Sequence, residues 1–161
     1  MARFFTDARG HRHWGEYGAA GMLAYHIKDG EVWYLLQKRS QYTHGGGTWS
    51  IPGGALRRGE SPVDGACREV AEELGSMPRG LAYTGTVTTD FGGWKYHTIV
   101  FRSPELFTAA GNWEAAEHRW VTAARMADLP LHRGFAAAFP QAAAIAEAAS
   151  GTGLPGRIGL D

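Results

Sequence analysis

Glu60, Arg68, Glu69, Glu72 and Glu73 crowd into one stretch, GGALRRGESPVDGACREVAEELGS, running from Gly53 to Ser76. On a helix Glu69, Glu72 and Glu73 stand at i, i+3 and i+4 and share one face. Three like charges a turn apart repel, each close pair costing about a few tenths of a kcal/mol. Arg68 offsets one of them through its i,i+4 partner Glu72. The surplus negative charge suits divalent cations, and an all-oxygen donor set selects hard ones such as Mg²⁺ or Mn²⁺, which in turn hold phosphate oxygens. Three glutamates alone would equally suit a solvated acidic face with ordinary Glu–Arg pairing, so the positioning elements decide between the two.

Those elements are legible. Ser61 is placed to cap a helix, Pro62 suits its first position, Asp64 sits where a capping-box acid belongs, and Gly75 supplies the left-handed residue that closes it. Between these ends Val63, Cys67, Val70, Ala71 and Leu74 recur at helical spacing as an apolar stripe, with the glutamates expected on the opposite face.

Gly54, Glu60, Arg68, Glu69, Val70, Glu72, Glu73 and Gly75 together reproduce Gly-x5-Glu-x7-Arg-Glu-U-x-Glu-Glu-x-Gly-U, where U is a bulky apolar residue. The stretch from 54 to 76 thus resembles the Nudix box, and the chain is identified as resembling the Nudix hydrolase family (MutT-like). One position departs, Ser76 standing where the last apolar residue belongs. The resemblance implies a single domain over residues 1–161, an α/β fold with a mixed β-sheet in an α/β/α sandwich, and a Mg²⁺ cofactor with Mn²⁺ as its substitute. It further implies Glu69, Glu72 and Glu73 as metal ligands together with the Gly53 carbonyl, at the end of a Trp49-x-Ile51-Pro52-Gly53-Gly54 lead-in. Arg68 then orients a glutamate, Glu60 ties loop to helix and reaches a metal through water, and the general base is Glu69, Glu72 or the distal Glu114. Glu117 is the other candidate for the distal carboxylate.

The implied reaction is water attack on phosphorus in a nucleoside diphosphate linked to X. A small nucleotide such as a (deoxy)nucleoside triphosphate or its oxidised form leads, with ADP-ribose or a sugar nucleotide as alternative. Coenzyme A and NADH signatures are not visible, nor is the proline that many ADP-ribose enzymes carry after the box. A non-catalytic nucleotide sensor is the reading from another class, but sensors commonly lose box glutamates, and here every charged box position is intact.

The rest of the chain frames this stretch. At 161 residues it suits one compact domain, and a formal net charge of zero suggests neither a nucleic-acid surface nor a polybasic membrane patch. The one cysteine, Cys67, lies on the apolar side of the helix and reads as a buried thiol. No signal-peptide run or spanning stretch is seen, so a cytoplasmic protein is expected.

Residues 1–12 read as a loosely ordered tail, and His11 with His13 lack the acid or cysteine that would complete a metal set. Strands are expected over 18–27 and 31–39 about a Lys28-Asp29-Gly30 turn, and over 81–90 and 95–102 about Phe91-Gly92-Gly93. Arg39 and Lys38 could reach substrate phosphates, but alternation lets only one of them face the site. A glycine-rich loop, Tyr42 to Gly47, leads to Trp49, which the lead-in places among the substrate-binding candidates. Trp94 and Tyr96, two apart and so on one face, are either core aromatics or a stacking platform for a base. Met126 to Leu131 reads as a short helical or loop segment. Residues 134–149 form an alanine-rich packing helix that Pro140 restarts or kinks. The tail from 151 onward is a mobile terminus or an arm docking on a partner subunit, which leaves a homodimer open.

Overall fold

The computed structural model describes residues 3–40, 46–109 and 115–151. Its centre is a seven-stranded mixed sheet. β3 (Ala19–Lys28) lies in the middle, antiparallel to β4 (Glu31–Arg39) and parallel to β8 (Trp94–Arg102). β7 (Ala82–Phe91) pairs with β8, while β5 (Trp49–Ser50) and β9 (Ala115–Thr122) pair with β4. The short β6 (Gly53–Ala55) pairs with β3. Both expected hairpins are present. Asp29 and Gly30 adopt positive φ between the paired ends Lys28 and Glu31, the backbone a tight two-residue turn needs.

Helices cover both faces, so β3 is buried on either side, and alternate residues of the strand serve different cores. Met22 and Ala24 pack with Ala66 and Val70 of α1 (Pro62–Leu74). Leu23 and Tyr25 pack on the other side with Phe135, Ala138 and Ala142 of α3 (Arg133–Ser150). The expected α/β/α sandwich with a mixed sheet is the fold observed. Among the described residues no helix is long and apolar enough to cross a membrane.

Two local expectations are corrected. α3 runs through Pro140 as one helix, preceded only by the short α2 (Ala123–Met126). Pro140 and Ala136, whose carbonyl loses its donor there, both face solvent, where water can take that acceptor. Residues 4–14 are not a loose tail but a hairpin of β1 (Phe4–Thr6) and β2 (Arg12–Trp14). Asp7 organises it: its carboxylate accepts from the Arg9 and His11 backbone N–H groups at 2.8 and 2.9 Å and lies 2.8 Å from His13 Nε2. The His13 contact and these N–H bonds hold the Asp7 carboxyl down at about 2.

Candidate active site on the carboxylate helix

Helix α1 begins and ends as its sequence dictates. Ser61 Oγ accepts from Asp64 N–H at 3.1 Å, Pro62 opens the helix, and Gly75 closes it at φ 86°. The expected stripe packs on the sheet, with Val63, Cys67, Val70 and Leu74 all in the α1-side core. Gly65, Ala66 and Val70 are the deeply buried positions, while Val63, Cys67 and Leu74 are only partly covered. Small residues at the contact let the helix approach β3 and β6 closely. At 100° per residue, Glu73 and Glu69 then lie roughly 60° and 100° from Val70 and flank the buried stripe. Only Glu72 points away. Its side chain is 53 % exposed against 19 % for Glu69, and Oε2 of Glu73 is closed to solvent. The three carboxylates therefore do not share one outer face: two are half sunk between helix and sheet.

Arg68 is the hub that holds them. Its Nε and Nη2 fork onto Glu60 at 2.8 and 2.9 Å, Nη1 donates to Glu69 at 2.9 Å and reaches Glu72 at 3.4 Å, and Nη2 also donates to the Ala55 carbonyl at 3.0 Å. The Arg68 hydrogen bonds hold the Glu60 carboxyl down at about 2, and the same bonds push the arginine up. Glu60 Oε1 also takes the Arg57 N–H at 2.9 Å, which ties the loop to the helix as expected. With both oxygens of Glu60 so engaged, its carboxylate serves the scaffold. Glu72, the expected i,i+4 partner of Arg68, makes the longest of these contacts.

β6 brings the backbone to the same place. In its ladder with β3, Met22 N–H donates to the Pro52 carbonyl and Leu56 N–H to the Gly18 carbonyl. By antiparallel alternation the carbonyls of Gly53 and Ala55 then turn away from β3. Arg68 occupies that of Ala55, so the Gly53 carbonyl lies on the edge from which the hub is built. Glycine at 54 leaves room for the Glu69 carboxylate: a Cβ there would stand 2.5 Å from it and push it aside.

The other sequence candidates separate. Tyr96 lies with its hydroxyl over Gly21, beside Ile51; burial first, and then the Glu73 charge, pushes its pKa up, with Arg39 opposing. The Tyr96 hydroxyl thus feels both the Glu73 and the Arg39 charge. The β4–β9 register shifts between Lys38 and Arg39, with the extra residue on β9. Trp94 is spoken for: its ring stacks on His13 at 4.5 Å and 9°, and its Nε1 donates to the Gly15 carbonyl at 2.7 Å. It staples the N-terminal hairpin to β8. Trp49 is a core residue, 4 % exposed, with the Arg119 guanidinium 4.9 Å over its ring. Glu117 pairs with Arg119 at 3.1 Å, and Glu114 lies outside the described residues. The sequence reading passed over Gln37 and His118, which face each other across β4 and β9; a glutamine following Leu35 at strand spacing was the available signal.

Glu69, Glu73 and the Gly53 carbonyl are hard oxygen donors, the type that Mg²⁺ or Mn²⁺ takes. Oε2 of Glu73 is closed to solvent and the Glu69 carboxylate lies against Gly54, so both carboxylates sit where a cation would offset their charge. Among the described residues no three His, Cys, Asp or Glu side chains are already gathered as a metal cluster; Arg68 holds Glu69 and Glu72 towards itself.

This fold and this charged hub define a NUDIX domain: the family's model matches residues 18–142, and the chain belongs to that family. A Mycobacterium tuberculosis protein named "Putative 8-oxo-dGTP diphosphatase 3" is 44 % identical over 134 residues, covering 79 % of this chain and 62 % of that one. The chain thus spans about three fifths of the length of that curated relative. A Bifidobacterium longum protein named "Nucleoside triphosphate pyrophosphatase/Nudix hydrolase fusion protein" is 38 % identical over 120 residues, 71 % of this chain and 25 % of the relative. Among solved structures, the Nudix hydrolase RenU of M. smegmatis superposes with a TM-score of 0.76 at 34 % identity, covering 96 % of this chain and 99 % of that one.

Proposed function

We propose that this chain is a divalent-metal-dependent pyrophosphohydrolase that breaks the P–O–P link of a nucleoside diphosphate derivative with water. The leading substrates are (deoxy)nucleoside triphosphates, oxidised guanine forms first, in line with the name of the M. tuberculosis relative. One observation carries this reading: Arg68 holds the Glu69 carboxylate against side-chain-free Gly54, on the edge to which the Gly53 carbonyl turns.

Glu69, Glu73 and the Gly53 carbonyl would hold the ion, with Glu72 joining from the solvent side. When bound, the ion neutralises phosphate charge and lowers the pKa of the attacking water. The chain's own groups do the rest. Arg68 fixes the orientation of Glu69 through Nη1. A carboxylate, Glu69, Glu72 or Glu114, takes the proton from water as its oxygen bonds to phosphorus, and the bridging oxygen leaves with one of the two phosphorylated products. Arg39, whose charge acts at Tyr96 against that of Glu73, would bind a substrate phosphate.

The test is a product-release screen with Mg²⁺ and Mn²⁺ over nucleoside triphosphates, oxidised forms, ADP-ribose and sugar nucleotides, with a chelator control. Metal-dependent cleavage of a triphosphate is the expected result. Glu73→Gln should lower kcat at least about a hundredfold, the scale on which a charged group at the reacting centre acts, while the melting temperature stays within a few degrees. Wild-type turnover in that variant would sink the assignment of Glu73.

A further inference from the structure

Between β6 and α1 the chain turns through Arg57, Arg58 and Gly59, all exposed. The turn is fixed from below. Leu56 is buried in the α1-side core, and Glu60 N–H donates to the Arg57 carbonyl at 3.0 Å. Gly59, at φ 76°, is the left-handed residue that a type II turn needs third. Arg57 N–H donates in return to Glu60 Oε1 at 2.9 Å, and Glu60 is itself gripped by the Arg68 fork. The Arg57 backbone is therefore built into the hub, while its side chain stays 69 % exposed. Among the described residues its guanidinium makes one ion pair. Nη2 lies 3.7 Å from Glu72 Oε1, the oxygen that Arg68 Nη1 approaches at 3.4 Å.

The two arginines on Glu72 differ in what else they hold. Arg68 is committed to Glu60, Glu69 and the Ala55 carbonyl. Arg57 keeps Glu72 only across a long, solvent-exposed gap, and such pairs add little. Phosphate is a better partner for a guanidinium, since the fork can make two parallel, shorter bonds to it. Building on the nucleotide hydrolysis proposed above, we infer that Arg57 is a substrate-binding residue: it offsets the Glu72 charge in the empty site and passes to a phosphate of the bound polyphosphate. In the empty site it is a stand-in cation, and a Glu72 serving Mg²⁺ or Mn²⁺ no longer needs it. The two backbone bonds to Glu60 keep the released head rooted beside the hub, on the solvent side from which a substrate arrives. Removing the Arg57 charge then acts in opposite directions on two ligands: a cation at Glu72 gains and a polyphosphate loses.

The experiment compares wild type with Arg57→Gln, Arg57→Lys and Arg58→Gln, each first checked by thermal melting. Mn²⁺ alone is titrated and the free ion counted by electron paramagnetic resonance. Tripolyphosphate is titrated by calorimetry with Mn²⁺ present, and kcat and KM are measured for dGTP and 8-oxo-dGTP. Arg57→Gln should bind Mn²⁺ about two- to fivefold tighter, the range of one exposed ion pair. It should bind tripolyphosphate roughly tenfold more weakly, the range of one charge-assisted hydrogen bond. KM should rise by a similar factor with kcat within about threefold, as for a contact made equally in ground and transition states. Arg57→Lys, which keeps the charge and loses the fork, should fall between. Arg58→Gln removes the same charge one residue on and should shift either constant by less than about twofold, because solvent screens a charge that touches neither ligand. Changes of the same sign for both ligands, no change, an equal effect from Arg58→Gln, or a wild type that binds neither probe overturns the inference. Should no triphosphate be cleaved, the hydrolysis reading fails separately, and the two titrations still decide this one.

Discussion

Replacing Glu60 by Gln tests the charged hub without touching a proposed metal ligand. In the native protein Glu60 takes two hydrogen bonds from the Arg68 fork and a third from the Arg57 backbone. Its carboxyl falls from 4.5 to about 2, chiefly through the Arg68 bonds. That fall corresponds to roughly 3 kcal/mol of linked stability. It is an upper limit, because the carboxylate keeps 14 % of its side-chain surface in water and solvent screens the pair. The sign follows from the direction of the shift. A carboxyl with a lowered folded value stabilises fully above its unfolded value, and that stability is lost as pH falls from about 4.5 towards 2. Urea unfolding at pH 7, 5, 4 and 3 is the assay. Glu60→Gln should be about 1–3 kcal/mol less stable at pH 7, the range for charge-assisted hydrogen bonds, and the gap to wild type should narrow as pH falls to 3. A constant gap across that range, or no gap at pH 7, would refute the hub as the source of the loop-to-helix tie.

Gly54→Ala should place its Cβ against the Glu69 carboxylate; an activity loss of at least about tenfold with near-native melting is expected, and full activity would show that Glu69 need not lie there. Trp94→Ala removes the His13 stack and the Gly15 bond. Amide exchange over residues 3–14 should then quicken, and unchanged protection would show that the hairpin is held elsewhere. Val70→Ala deletes two methyl groups from a fully buried position between α1 and β3. A stability loss of about 1–3 kcal/mol in denaturant melts is expected, and a loss under about 0.5 kcal/mol would mean that the helix is not anchored by that contact.

How much was legible follows the range of each interaction. The caps of α1, the four long strands and the turns at Asp29-Gly30 and Gly92-Gly93 depend on neighbours in sequence, so propensity and spacing found them. The hairpin of β1 and β2 went unseen because a single buried carboxylate, Asp7, organises it, rather than an alternating apolar pattern. Trp94 and Tyr96 share a strand face, as spacing says, yet their fates diverged. One is stacked by a histidine from the N-terminal hairpin, and the other is set over Gly21 beside Ile51. Nothing local distinguishes them.

The sequence by itself determined the chemistry: which charged groups occur, at what spacing, on a helix with defined ends, and hence membership of a metal-and-phosphate family. Only the tertiary structure decided how those charges are used. Close packing of Ala66 and Val70 on the sheet turned the glutamates so that two flank the buried stripe and one faces solvent. The fold carried Arg68 onto Glu60 more tightly than onto its helical neighbour Glu72. It also set Gln37 within hydrogen-bond reach of His118, eighty-one residues away. Periodicity reports which side of an element is apolar, but a hydrogen-bond direction depends on what stands opposite, and that is settled when distant strands meet.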